Sequence, residues 1–256
     1  MKHSILSDKK PDRLRLWAIA FWLIAWQLLS MIVGHEILLA SPLSVAGRFF
    51  ALIFTQSFWQ TLSFSLLRIL GGFLLGCVSG VILAALSAAF RRIRELIAPF
   101  VAVIRAIPVA SFVIVALIWV PSRNLALLIS ALIVWPVVYA NVLSGIEETD
   151  KKLLEMAHIF RLSGMKRILY IYIPQSLPYF RAAVVASMGL AWKSGVAAEV
   201  IGIPSGSIGE ALYRAKIYLM TPDLFAWTIA LVAASLICEK LFLRLVDIAI
   251  AGIERM

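Results

Sequence analysis

The hydrophobic pattern of the chain is a series of long apolar runs separated by short polar segments. A helix crosses a bilayer core of about 30 Å with about 20 mostly apolar residues. Six runs approach that length, at residues 16–33, 61–88, 99–120, 125–143, 176–198 and 224–246. The pattern therefore predicts an all-α integral membrane protein with six transmembrane helices.

The Lys and Arg residues between these runs predict the orientation. If the first span enters from the cytoplasm, sixteen of them fall on the cytoplasmic side and four on the other. Short cytoplasmic loops hold the excess of Lys and Arg, so both termini are predicted to be cytoplasmic. The first run follows four basic residues, as in a signal peptide, but a signal's apolar region is only about 7–15 residues long. We therefore favour an uncleaved first span over a cleaved signal.

The composition of the chain supports a membrane protein. Of the 256 residues, 62% are hydrophobic and 15% are charged, whereas soluble domains are roughly 45–50% apolar and about 25% charged. The formal net charge of +10 comes from clusters between apolar runs. We interpret it as anchoring against anionic lipid and predict no nucleic-acid partner.

Two short helices are predicted on the outer side. Ser41 and Pro42 precede an amphipathic segment that ends near Ile53. Ser207 and Glu210 have the spacing of a capping box ahead of an apolar stretch.

The longest inner loop is predicted to hold two more helices. Thr149 and Asp150 are candidate caps for a helix over residues 151–160. Ser163 is a candidate cap for a second helix over residues 164–171, which is expected to end before Pro174.

Three glycines form one face of the second run. Gly72, Gly76 and Gly80 recur every four residues, which allows another helix to approach closely. The partner helix belongs either to a second subunit or to the same chain, and the sequence leaves both possibilities open.

Four residues in or next to the apolar runs are candidates for a solute pathway, and they are Arg68, Lys193, Glu199 and Pro108. Arg68 and Lys193 are cations at membrane depth, where a charge costs at least about 2.5–3.5 kcal/mol and normally faces protein or water. A cavity that they line suits an anionic solute. Alternatively, backbone carbonyls or a carboxylate such as Glu199 satisfy them. Pro108 introduces a kink of the kind found in pathway helices and also in plain structural ones.

Motifs for chemistry are missing from the chain. There is no G-x-x-x-x-G-K-[ST] loop, so the chain is not expected to hydrolyse ATP by itself. Neither G-x-S-x-G nor H-E-x-x-H occurs, and the three histidines are scattered. We predict no enzyme activity, no bound cofactor and no metal site.

The inner loop resembles the cytoplasmic EAA loop of permease subunits in binding-protein-dependent ABC importers. The matching residues are Glu155-Met156-Ala157, then Arg161, then Ile171-Tyr172-Ile173-Pro174. Met156 stands at the second alanine, Arg161 at the usual glycine, and Gly164 follows three residues later. Residues 105–120, residues 61–72 with Arg68, and residues 197–202 are similar to the nitrate, sulfonate and taurine branch of these permeases. Together the resemblance covers about residues 60–246.

The resemblance implies a fold and an assembly. The fold is that of a type I importer permease, in a single domain of residues 1–256. Residues 1–60 would form the N-terminal tail, first span and outer segment, and residues 61–246 the core, with a coupling loop at residues 147–174. A second permease copy, two ATPase subunits that hold ATP and Mg, and an external solute-binding protein would complete it in a bacterial or archaeal cytoplasmic membrane.

The coupling loop would dock into the ATPase. Apolar side chains would enter a groove there, and Glu155 and Arg161 would make polar contacts. The residues assigned to this loop are Glu155, Met156, Ala157, Ile159, Phe160, Arg161, Gly164 and Pro174. The alternative is an amphipathic helix that lies on lipid headgroups.

Three classes of function follow. The first is the importer permease, with a small anion of the nitrate, sulfonate or bicarbonate type as solute. Similar permeases also serve thiamine-precursor pyrimidines and riboflavin, so these solutes stay open. The second is an ion-gradient-driven transporter, which typically has buried midplane carboxylates. The third, a membrane scaffold, leaves the loop unexplained.

Overall fold

The computed structural model describes residues 16–253, and this stretch is helical without a β-strand. The predicted N-terminal tail of residues 1–15 and the basic residue Arg255 lie outside the described residues. In chain order the helices are α1 (Leu16–Val33), α2 (Pro42–Ile53), α3 (Gln56–Ala89), α4 (Arg91–Ala106), α5 (Val109–Ala116), α6 (Ser122–Glu147), α7 (Lys151–Ile159), α8 (Gly164–Arg167), a π-helical turn (Ile168–Tyr172), α9 (Ile173–Gly202), α10 (Ile208–Ile217) and α11 (Thr221–Ile253).

The centre of the structure is a layer of three long helices in which α6 packs between α3 and α9. The glycine face of α3 lies against α6 of the same chain. A Cβ atom at Gly72 would meet the Leu127 carbonyl oxygen at 2.2 Å, and one at Gly76 would meet Val134 Cβ at 2.7 Å. Of the two possibilities that the sequence left open, packing within the chain is therefore the one observed.

Three helices are long and apolar enough to cross a membrane within the described part of the chain. They are α3, α6 and the continuous helix Gly164–Gly202, which has 39 residues. The pair α4 and α5 would make a fourth span if it is counted as one, but the two helices meet at an angle of 105°.

The predicted third span at residues 99–120 is therefore wrong as a single straight helix. Ile107 has an extended backbone, with φ −75° and ψ 129°, and Pro108 follows it. Proline has no N–H to donate, and its ring disfavours the helical conformation of the residue before it. The chain breaks at this pair rather than bending gently.

The sequence predicted that the second loop helix ends before Pro174, and this prediction is wrong. Ser163 stands at its N-cap position without a capping hydrogen bond, and the helix passes through the π-helical turn into α9. Pro174 lies in the first turn of α9. The π-helical turn ends two residues before Pro174, whose nitrogen cannot donate a backbone hydrogen bond.

The two outer helices begin at the predicted caps. The Ser44 N–H donates to the Ser41 hydroxyl at 3.2 Å, and the Glu210 N–H donates to the Ser207 hydroxyl at 2.9 Å. The return bond of the box is shifted by one residue, because the Glu210 carboxylate accepts from the Gly206 N–H at 2.6 Å.

Candidate functional site

The inner loop presents an apolar tip on helix α7. Asp150 caps this helix by accepting from the Lys152 N–H at 2.8 Å, whereas the Thr149 hydroxyl donates back to the Gly145 carbonyl and does not cap α7. Ile159 and Phe160 at its end are 76% and 71% exposed. Exposed side chains of this size mark a contact surface when they lie together.

Two predicted loop residues have other roles. Ala157 has no exposed area, so it packs inside the chain and cannot fill a groove on a partner. Gly164 has no atoms within 4 Å of the position where a Cβ atom would stand, so close packing does not require glycine there.

Arg161 ends α7 in a left-handed conformation with φ 50°. Its N–H donates to the His158 carbonyl at 3.0 Å, and the Leu162 N–H donates to the Ala157 carbonyl at 2.9 Å. This pair of bonds is a Schellman motif, whose left-handed residue is usually glycine. The geometry gives the physical reason why a glycine suits this position of the loop.

We expect Arg161→Gly to stabilise the turn after α7 by about 1 kcal/mol, because a side chain in the left-handed region costs roughly 1–2 kcal/mol. Limited proteolysis of the loop measures this as slower cleavage. Arg161→Ala is the matched control, since it removes the same guanidinium but keeps the strain. Equal cleavage of the two variants would contradict the backbone explanation.

Arg68 satisfies its charge with backbone oxygens. Its Nε donates to the Arg123 carbonyl at 2.6 Å, and its Nη1 donates to the Phe64 carbonyl at 3.2 Å. The guanidinium also lies 3.5 Å from the centre of the Phe64 ring. Backbone carbonyls therefore satisfy the charge of Arg68, which was one of the predicted alternatives to a pathway role. These hydrogen bonds join α3 to the start of α6.

Glu199 lies in the protein interior and not on a pathway surface, contrary to the prediction. It has no exposed area. Its Oε2 accepts from the Ser65 hydroxyl at 2.7 Å and from the Gly209 N–H at 3.2 Å, and the Ser65 oxygen accepts from the Ile208 N–H at 2.9 Å. A carboxylate at a helix N-terminus is favoured by the helix dipole. Glu199 therefore caps α10 and ties it to α3 and α9.

Lys193 has a different environment from the other two charges. It is exposed on α9, although its neighbours Trp192 and Ser194 are buried. It makes no hydrogen bond or ion pair with any residue of the described range. Lys193 lies nine positions before the last residue of α9, which places it about 14 Å from that end at 1.5 Å per residue.

Sequence reasoning missed the partners of several charges. Ser65 is 134 positions from Glu199, and no local motif marks a hydroxyl as the partner of a distant carboxylate. Ion pairs also join distant helices, and they are Arg48 with Asp223, Arg94 with Glu147, and Arg181 with Asp247. Opposite charges near the ends of two runs were the available signal for such pairs.

Comparison with known proteins gives a consistent picture. Residues 72–255 match the family described as "Binding-protein-dependent transport system inner membrane component". The chain is 27% identical to SsuC of Bacillus subtilis, named as an aliphatic sulfonates transport permease, over 93% of this chain and 89% of that protein. It is 25% identical to the nitrate import permease NrtB of Synechococcus elongatus, over 80% of this chain and 77% of that one.

Two further similarities concern the fold and the breadth of the family. The riboflavin transport permease RibX of Chloroflexus aurantiacus is 28% identical, over 87% of this chain and 86% of its own length. The fold is similar to that in a crystal structure of an amino acid ABC transporter with histidines. The match covers 80% of this chain and 98% of the transporter chain, with 18% identity and a TM-score of 0.61. At that identity the structural likeness concerns the fold alone.

Proposed function

The chain belongs to the family of binding-protein-dependent transport system inner membrane components, and we propose that, as the permease of an ABC importer, it carries a small oxyanion past Lys193. An ATPase and a solute-binding protein are the partners that the family implies. The family match favours this function over the gradient-driven transporter and the scaffold.

The proposed arrangement has six spans with both termini in the cytoplasm of a bacterium or archaeon. Three long helices and the bent pair α4 and α5 supply up to four spans, and α1 and α11 would supply the others. The distribution of Lys and Arg supports this orientation. The domain boundaries are those of the sequence analysis, with residues 61–246 as the core.

The position of Lys193 carries the proposal. A cation at this depth costs several kcal/mol if it faces lipid, so it must face water or protein once the assembly is complete. Ala186, Gly189 and Ala197 share its face of α9 at helical spacing, and no atom lies within 4 Å of the position that a Cβ atom at Gly189 would take. We propose that this face turns toward a second copy of the chain and that the two lysines line the path.

The solute class follows from this charge and from the relatives. Relatives named for sulfonates and nitrate have oxyanionic solutes, which a pair of lysines would attract. RibX is named for riboflavin, so riboflavin is the second candidate.

Coupling to ATP is proposed to run along one continuous helix. The helix Gly164–Gly202 begins beside α7 and ends near Glu199, and its 39 residues correspond to about 58 Å. We propose that one ATPase subunit binds each copy of α7, with ATP and Mg on the ATPase, and that closure of the two ATPases pulls the helix. The hydrogen bonds of Glu199 and Ser65 would carry the movement to α10 at the outer surface.

We expect Lys193→Gln to lower oxyanion uptake at least about tenfold, which is about 1.4 kcal/mol and less than the attraction of two close charges. The measurement is uptake of labelled sulfonate, nitrate and riboflavin into proteoliposomes that hold the complete complex, ATP and the binding protein. Lys193→Arg should keep most of the uptake because it keeps the charge.

Lys216→Gln, on the exposed face of α10, is the matched control and should transport normally. Wild-type uptake by Lys193→Gln would contradict the role of this residue. Uptake of riboflavin alone, unaffected by Lys193→Gln, would replace the oxyanion with the second candidate.

A further inference from the structure

An apolar groove lies at the end of the bundle that carries α7. Its volume is about 360 Å³, and its walls come from the ends of α3 and α6 and from the turn before α9. The side chains that line it include Val81, Ala85, Ala88, Ile146, Ile168 and Ile173. On this measure a single water needs only about 10–15 Å³, so the groove has room for an extended apolar group.

The groove has an unusual wall and an unusual position. Alanines from successive turns of α3 leave it open where larger side chains would close it. Ile168 and Tyr172 belong to the π-helical turn that joins the α7 loop to α9, so whatever fills the groove contacts this turn directly. π-turns inside helices are often found at functional sites.

Basic residues flank the groove in the chain. Arg92 lies three residues beyond the lining residue Ala89, and Lys166 and Arg167 immediately precede the lining residue Ile168. All three are exposed, and none of them makes an ion pair with another residue in the range 16–253. Two exposed carboxylates, Glu147 and Glu148, follow the lining residue Ile146, and Glu147 pairs with Arg94. Three cations without an ion pair in the described range therefore stand against one such carboxylate beside the groove. An apolar slot with this excess of cations suits an acyl chain with an anionic headgroup.

We propose that this groove binds an acyl chain of an anionic phospholipid from the inner leaflet, with its phosphate held by Arg92, Lys166 and Arg167. A second copy of the chain is a poorer occupant, because a symmetric contact at this groove would bring two sets of these cations together. The bound lipid would stiffen the turn between the coupling loop and α9 and thereby strengthen the response of the ATPase. The inner-leaflet assignment rests on the orientation given under the proposed function.

The test uses the complete complex in nanodiscs of phosphatidylglycerol or of phosphatidylcholine. Native mass spectrometry counts the retained lipid, and ATPase assays measure the stimulation by the binding protein. We expect phosphatidylglycerol to be retained and to raise the stimulation at least about twofold, the lower end of coupling between sites. Each of Arg92→Gln and Arg167→Gln should weaken lipid retention about fivefold.

Ala85→Phe fills the groove and should abolish both effects. Ala249→Phe, which adds the same ring at an exposed position of α11, should leave them unchanged. Ala88→Phe tests the same wall one turn away if Ala85→Phe expresses poorly.

Three outcomes would overturn the proposal. The first is equal retention of the two lipids, and the second is retention of lipid by Ala85→Phe as in the wild type. The third is a native mass of Ala85→Phe that corresponds to a single permease, which would show that the groove is an interface between two copies. Failure of the proposed function can be distinguished from failure of the lipid proposal. If the proposed function is wrong, the wild type shows no ATPase stimulation in either lipid, whereas lipid retention is measured independently by mass.

Discussion

Gly72→Ala is expected to destabilise this permease strongly. A Cβ atom at this position would stand 2.2 Å from the Leu127 carbonyl oxygen and 2.9 Å from Ser130 Cβ. The first contact is with backbone inside α6, which cannot turn away as a side chain can. Overpacking costs typically 1–3 kcal/mol, and a backbone clash at the centre of the bundle belongs at or above the upper limit of about 3 kcal/mol.

The measurement is the apparent melting temperature of the purified protein in detergent, which we expect to fall by about 10 °C or more. Gly71→Ala is the matched control on the same helix, because its Cβ atom would meet only the Leu127 side chain at 3.5 Å. It should be neutral or stabilising, since alanine is the better helix former by about 1 kcal/mol.

The other two glycines of this face are expected to show smaller losses of stability on substitution by alanine. At Gly76 the shortest contact is 2.7 Å, and at Gly80 it is 2.9 Å, each to the Cβ atom of a valine. The expected order of destabilisation by alanine is Gly72, then Gly76, then Gly80. An equal loss at the three positions would show that the helix spacing is set elsewhere.

Phe160→Asp is expected to uncouple ATP hydrolysis from the permease. Phe160 and Ile159 are the most exposed apolar side chains of the α7 tip, and such anchors carry about 2 kcal/mol or more in protein interfaces. Stimulation of ATPase activity by the binding protein should fall about 30-fold, which corresponds to that energy. The fold should be unaffected because the side chain is exposed in the chain.

Glu155 provides a charge-based version of the same test. Glu155→Ala should reduce the stimulation of ATPase activity. The matched control is Glu148→Ala, which should keep it. Glu148 is also an exposed carboxylate of this loop, but it lies at the end of α6, before the residue that caps α7. Normal stimulation in both Phe160→Asp and Glu155→Ala would mean that α7 lies on lipid headgroups, the alternative interpretation of the loop.

Local signals predicted the helices and their beginnings well. The caps at Ser41, Asp150 and Ser207 all hold, because a capping hydrogen bond depends on residues two or three positions apart. The Schellman turn at Arg161 follows the same principle, and the position of the family's glycine already marked it.

The sequence did not predict which helices and side chains contact one another across the bundle. The periodicity of Gly72, Gly76 and Gly80 predicted a close contact but not which helix makes it, since a glycine face fits any neighbour of suitable shape. Glu199 is an ionisable residue at the end of an apolar run, which is typical of a pathway residue. Its hydrogen bonds to Ser65 and Gly209 depend instead on how α3, α9 and α10 meet.

The sequence by itself determined that this is an all-helical membrane protein of the ABC permease family, because apolar length and a loop motif are local properties of a chain. Only the tertiary structure decided that the helix breaks at Pro108 but continues through Pro174, and that Ala157 and Glu199 are buried. These features depend on which helices pack together, and packing selects among backbone paths and charge partners that the local sequence leaves nearly equal in free energy.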